Sequence, residues 1–204
     1  FEECISLKNI QFPDSLENIG NGAFYYCIGL EKIVIPKNVV SIGTYAFDYC
    51  NELESIVVDE ENAVYDSRDN CNALIETESN RLIRGPCNTT EVPETVKIIG
   101  RNVFARIGKL TKLVIHEGVE EIEGYSFGHQ CYNLKDIIIP KSVKTIDGYV
   151  LTSDEKGITV WVHKGSYVEE FVKEMDLNYR SIEVNVPIKK TEYKAFESVN
   201  IDDL

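Results

Sequence analysis

The stretch from Leu30 to Cys50 reads LEKIVIPKNVVSIGTYAFDYC, and its reading decides the fold. In its first part Ile33 and Ile35 alternate around Val34 and the run stops at Pro36, which cannot donate to a strand ladder. That part predicts a short strand. Its middle, Val39 to Ile42 closed by Gly43, predicts a second short extended stretch. Its last part, Ala46 and Phe47 through Cys50, turns the chain back. Outward from this stretch the pattern recurs every 23 residues. Upstream it reads Cys4, Leu7, Ile10, Pro13, Leu16, Ile19, Gly20, Ala23, Phe24. Downstream, Cys50, Leu53, Ile56 and Val58 begin a third copy, which resumes in register at Val92, Val96, Ile99, Gly100 and Phe104. A fourth runs from Ile107 to Phe127, and a fifth from Cys131 to Leu151.

A period of this length is too short for a helix pair, and one such unit cannot bury its own apolar side. Stacked units can. The expected architecture is a β-rich repeat solenoid, right-handed, with a parallel sheet on one face and coils of about 23 residues over residues 1–151. The third unit carries an insertion, about residues 59–91. Its core, Asn72 to Gly85, sets two apolar strands around a polar Glu78-Ser79-Asn80 turn, a hairpin signal. Residues 152–184 are expected to form an α/β cap. It holds a strand at Gly157–His163, a helix opened by a Ser166/Glu169 capping box, and a return strand at Asn178–Val184. Val168, Phe171, Val172 and Met175 would form the apolar face of that helix. Residues 185–204 read as a polar tail. Phe1 stands where the last Phe of a preceding unit would stand, so the chain begins inside the repeat frame and is expected to be a piece with further repeats or a cap upstream.

These repeats resemble the BspA-type leucine-rich repeat family over about three quarters of the chain. The resemblance implies a secreted or cell-surface bacterial protein engaged in adhesion. Its partner would be a protein, either a host extracellular-matrix protein or another cell-surface protein. It implies no catalysis and no cofactor. Ile107 in place of Cys, Asp147 in place of Gly and Asp59 in place of Pro depart from the pattern without breaking its register.

Composition narrows the partners independently. The 204 residues carry 21 Lys and Arg against 34 Asp and Glu, a net charge of −13. With no basic cluster, the chain is poorly suited to nucleic acid, whose phosphates demand counter-charge. No apolar run approaches the roughly 18–20 residues of a membrane-spanning helix. No nucleophile–base pair, phosphate loop or zinc spacing stands out, so neither a catalytic residue nor a metal site is assigned. His116, His129 and His163 are scattered and read as surface residues, and Asp59 to Asn62 with Asp66 and Asp69 as a solvated acidic loop. Cys4, Cys27, Cys50 and Cys131 share one repeat position and read as a ladder of reduced, buried thiols. Cys71 and Cys87 bracket the hairpin, and whether they are bonded stays open.

The candidate binding surface is the outward face of the sheet. Side chains alternate, so Gln11, Val34, Val57, Val114 and Ile138 form an outward column. The polar column beside it is Asn9, Lys32, Ser55, Lys112 and Asp136. Apolar stripes with polar rims mark interaction sites, and β-branched residues also favour strands for their own sake. Lys32, Val34, Ser55, Val57, Lys112, Val114, Asp136 and Ile138 are the predicted contact residues. Two other readings stand beside this one: a spacer that carries another domain, and a carbohydrate surface built on Tyr45, Tyr125 and Tyr149, or Tyr26 and Tyr49.

Overall fold

The structure is a computed structural model and describes residues 1–88, 91–105, 107–127, 131, 133–151 and 157–182. Its strands are β1 (Asn9–Ile10), β2 (Asn18–Ile19), β3 (Lys32–Ile35), β4 (Ser41–Ile42) and β5 (Ser55–Val58) in the first coils. The insertion holds β6 (Tyr65–Asp66), β7 (Leu74–Glu76) and β8 (Arg81–Arg84). There follow β9 (Ile98–Ile99), β10 (Lys112–Val114), β11 (Glu121–Ile122), β12 (Asp136–Ile139), β13 (Thr145–Ile146), β14 (Thr159–His163), helix α1 (Tyr167–Glu174) and β15 (Tyr179–Ile182).

The repeat register is the pairing register. β1, β3 and β5 are parallel, with Lys32 beside Ser55 and Val34 beside Val57. β10, β12, β14 and β15 form a second parallel run, with Ile138 beside Trp161. The short strands β2 and β4 pair on the other side of the coil, as do β9, β11 and β13. Each coil therefore hydrogen-bonds to its neighbours at equivalent positions, as from Glu31 N to Lys8 O (2.8 Å) and from Glu54 N to Glu31 O (3.0 Å). The chain is a β-solenoid. β14, which the sequence places in the cap, continues the column of β12 in the same frame, and β15 adds one strand more.

Leucine, isoleucine and phenylalanine fill the interior in rows. Leu30, Ile33, Ile35, Leu53 and Ile56 are wholly buried. Phe24 stacks on Phe47 with centroids 5.7 Å apart, and Phe104 on Phe127 at the same spacing. The thiols are free. Cys27, Cys50 and Cys131 are buried, and each donates to a main-chain carbonyl of the preceding coil: Phe1 O (3.0 Å), Phe24 O (3.3 Å) and Phe104 O (2.9 Å). Burial pushes the Cys50 thiol up to about 12.

The insertion is an internal rung. β7 and β8 pair antiparallel, β8 runs parallel to β9, and β6 closes the other edge of the hairpin. The two faces of the hairpin serve two core clusters. Leu74 and Ile83 pack with the first coils, whereas Ile75 and Leu82 pack with the later ones. Strands buried on both sides are apolar on both sides, which accounts for the unbroken Ala73-Leu74-Ile75 run. Tyr65, Asp66, Ser67 and Arg68 fix the entry to the hairpin. The Tyr65 hydroxyl accepts from Ile42 N (3.1 Å) and Ser67 Oγ from Val58 N (3.0 Å). Asp66 clamps Arg68 and accepts from Thr77 Oγ1 (2.7 Å), while Arg68 reaches Asn80 Oδ1 (2.7 Å). Asn62, in the acidic loop, donates to Pro36 O and Val39 O and so ties that loop to the second coil.

The helix begins as the capping box predicts. Ser166 Oγ accepts from Glu169 N (3.2 Å), and Glu169 Oε2 accepts from Gly165 N (2.8 Å). Val168 and Val172 are buried, but the helix ends at Glu174 and Met175 is its exposed C-cap, outside the apolar face assigned to it. His163 is buried rather than superficial, its Nε2 3.8 Å from Glu117 Oε1. His129, residues 183–184 of the return strand, and the tail lie outside the described residues.

Candidate functional site: the outward sheet face

Strand β3 alternates as the sequence requires, with Ile33 and Ile35 turned in and Lys32 and Val34 turned out. β5 repeats the arrangement one rung on. Val34 is 43 % exposed and Val57 38 % exposed, and the two are register neighbours. Exposed Lys32 and half-buried Ser55 form the polar column beside them. Ser55 Oγ donates to Asn72 Oδ1 (3.1 Å), so the start of the hairpin core lies beside this polar column. Glu52 and Glu54 hold Lys109 Nζ at 2.7 and 2.9 Å, tying together the chain before and after the insertion. These carboxylates raise the Lys109 ammonium above its ordinary range through their hydrogen bonds.

The second half of the predicted column departs from expectation. Val114 and Ile138 are only 5 % and 3 % exposed. They form a small outer cluster against Trp161, the next residue of the same column. Trp161 Nε1 donates to Asp136 Oδ1 (2.7 Å), and the Arg180 guanidinium lies 5.6 Å from the centre of its ring. Large aromatic area draws neighbouring apolar side chains out of water, here on the outside of a sheet. Lys112 and Asp136 beside this cluster are half-buried. The eight predicted residues thus divide into an open patch (Lys32, Val34, Ser55, Val57) and a covered one (Lys112, Val114, Asp136, Ile138). Trp161 and Arg180 were missed as members of this face, although Trp161 stands 23 residues after Ile138 and the repeat frame could have carried the column to it.

The tyrosines stand on the turns. Tyr125 stacks on Tyr149 (5.5 Å), and Tyr49 packs against Tyr25 and Tyr26. Tyr45 is half exposed with a left-handed backbone, φ +60°. Among the described residues no His, Cys, Asp and Glu side chains gather into a group that could hold a metal ion. None of the described helices is long and apolar enough to cross a membrane.

Comparison with known proteins agrees with this geometry. A family model described as the BspA type leucine rich repeat region matches in six copies over residues 1–73 and 84–202. Among solved structures, a leucine-rich repeat protein from Eubacterium ventriosum is 28 % identical over 78 % of this chain, with a TM-score of 0.66. A leucine rich cell surface protein from Faecalibacterium prausnitzii is 23 % identical over 96 % of the chain, with a TM-score of 0.62. The chain spans 43 % and 57 % of those two proteins. Among curated proteins none matches it. The register, the solenoid and the family match converge, and the chain belongs to the BspA-type leucine-rich repeat family.

Proposed function

We propose that this chain is a non-catalytic protein-binding module of a secreted or cell-surface bacterial protein, and that it adheres to a host matrix or cell-surface protein. The patch of Lys32, Val34, Ser55 and Val57 is the docking surface. The observation that carries the reading is the pair Val34 and Val57, apolar, adjacent and about two-fifths exposed beside the polar Lys32 and Ser55. Two β-branched side chains in water are a weak cost to a free monomer and a ready contact for a partner. The net charge of −13 favours partners that are basic or neutral at their binding face. Family membership and the cell-surface relative support the setting.

The test is a binding screen of the purified chain against immobilised matrix proteins, with Val57→Asp beside the parent chain. Saturable binding that falls at least about tenfold in Val57→Asp, with the melt unchanged, is the expected result. Binding that survives the substitution would move the site off this face.

A further inference from the structure

The turns that close the coils place a residue in the left-handed region of the backbone map. At one repeat position that residue is Gly22 (φ +59°), Tyr45 (+60°), Asn102 (+60°) and Tyr125 (+62°) in the first four coils. Glycine adopts this conformation freely and asparagine with little cost, whereas a bulky side chain is strained there. A tyrosine at such a position is held against that strain by what its ring does.

Tyr125 shows that role inside the chain. Its ring is stacked on Tyr149 with centroids 5.5 Å apart, and the Arg101 guanidinium of the preceding coil lies 5.4 Å from its centre. Tyr45 has the same backbone and neither contact. It is 50 % exposed, and among the described residues its side chain makes no ring contact, cation contact or hydrogen bond. In the coil before it Asn21 stands where Arg101 stands before Tyr125, and Asn21 Oδ1 accepts from Thr44 N (2.9 Å). Gly22, the repeat equivalent one coil earlier, has no side chain to stack on the ring, and its N bonds Thr44 O (3.0 Å). Backbone strain that the fold itself does not use points to a contact outside the chain.

We propose that Tyr45 is a cation–π anchor for a basic segment of a partner protein. An arginine or lysine side chain of the partner lies on the Tyr45 ring as Arg101 lies on Tyr125. Charge complementarity selects this occupant. The face of a phenol ring is negative and attracts a cation, and a chain of net charge −13 draws basic segments toward it. Tyr45 stands on a turn, off the outward sheet face, so this is a second contact beside the patch of Lys32, Val34, Ser55 and Val57. It rests on the protein-binding reading and narrows the partner to one that carries a basic segment.

Calorimetric titration of the whole chain with tetra-arginine tests this, with tetra-citrulline as the uncharged isostere. Tetra-arginine should bind and tetra-citrulline should not. Tyr45→Leu, which leaves the net charge unchanged, should weaken tetra-arginine by about two- to fivefold, the size of an exposed cation–π contact. Tyr45→Phe, which keeps the ring, should bind as the parent does, and so should Val57→Asp. Thermal melts give a second readout. Tyr45→Gly relieves the strain and should melt no lower than the parent, whereas Tyr125→Gly loses its stack and should melt lower. No binding of tetra-arginine, binding unaltered in Tyr45→Leu, or a Tyr45→Gly melt as low as that of Tyr125→Gly overturns the proposal. Binding lost in Val57→Asp and kept in Tyr45→Leu overturns the anchor and leaves the sheet-face reading standing.

Discussion

At the scale of single residues, each repeat position has a physical reason that recurs from coil to coil. Gly43 is one. A Cβ there would lie 2.4 Å from Asn21 N and 2.6 Å from the carbonyl carbon of Gly20, so the coils could not approach as closely. Gly43→Ala should therefore destabilise the chain by about 1–3 kcal/mol in denaturant titration, the range for forced overpacking. A change of a few tenths would show that the coils are not in this contact. The cysteine position is another. A small thiol fits the buried corner and supplies a donor for the carbonyl of the coil before it. With burial holding the Cys27 and Cys50 thiols protonated and Cys131 enclosed in the core as they are, all three should resist a thiol reagent in the folded chain and react on unfolding. Rapid native labelling of any of the three would place it outside the core.

At the scale of elements, what could be read in advance was whatever obeys a local rule. Ser166 and Glu169 announce the helix because a capping box is satisfied within one turn. The hairpin is announced by two apolar runs about a polar turn. Its burial between two core clusters is not, because that depends on which coils flank it. The same holds for Val114 and Ile138. Alternation correctly turns them outward, but their cover is Trp161, two strands along from Val114 in the same sheet. Glu169 gives an element-scale prediction. Hydrogen bonds from Ser181 and then Gly165 N lower its carboxyl from the ordinary 4.5 to about 2. A depressed carboxyl stabilises the fold above its ordinary range and loses that contribution as pH falls toward the depressed value. Glu169→Gln should thus be less stable than the parent at neutral pH, with the gap narrowing below about pH 4.5. A gap that stays constant down to about pH 3 would show that the charge of Glu169 contributes nothing.

At the scale of the whole molecule, a solenoid is held together by contacts between neighbouring coils, and its stability is a sum of coil and interface contributions. The parallel columns β1–β3–β5 and β10–β12–β14–β15 flank the insertion, and the hairpin joins their cores through Leu74 on one side and Ile75 and Leu82 on the other. One repeat frame runs through both halves and places every second side chain of the sheet inside. The functional reading depends on that frame, since it decides which residues face a partner. Neighbouring positions on β5 test it most directly. Ile56 is wholly buried and Val57 faces solvent. Thermal melts of Ile56→Asp and Val57→Asp should differ sharply. Ile56→Asp buries an unpaired carboxylate and should abolish cooperative unfolding, whereas Val57→Asp should stay within about 0.5 kcal/mol of the parent, as surface substitutions do. Equal damage from the two, or a greater loss from Val57→Asp, would contradict the register and with it the assigned binding face.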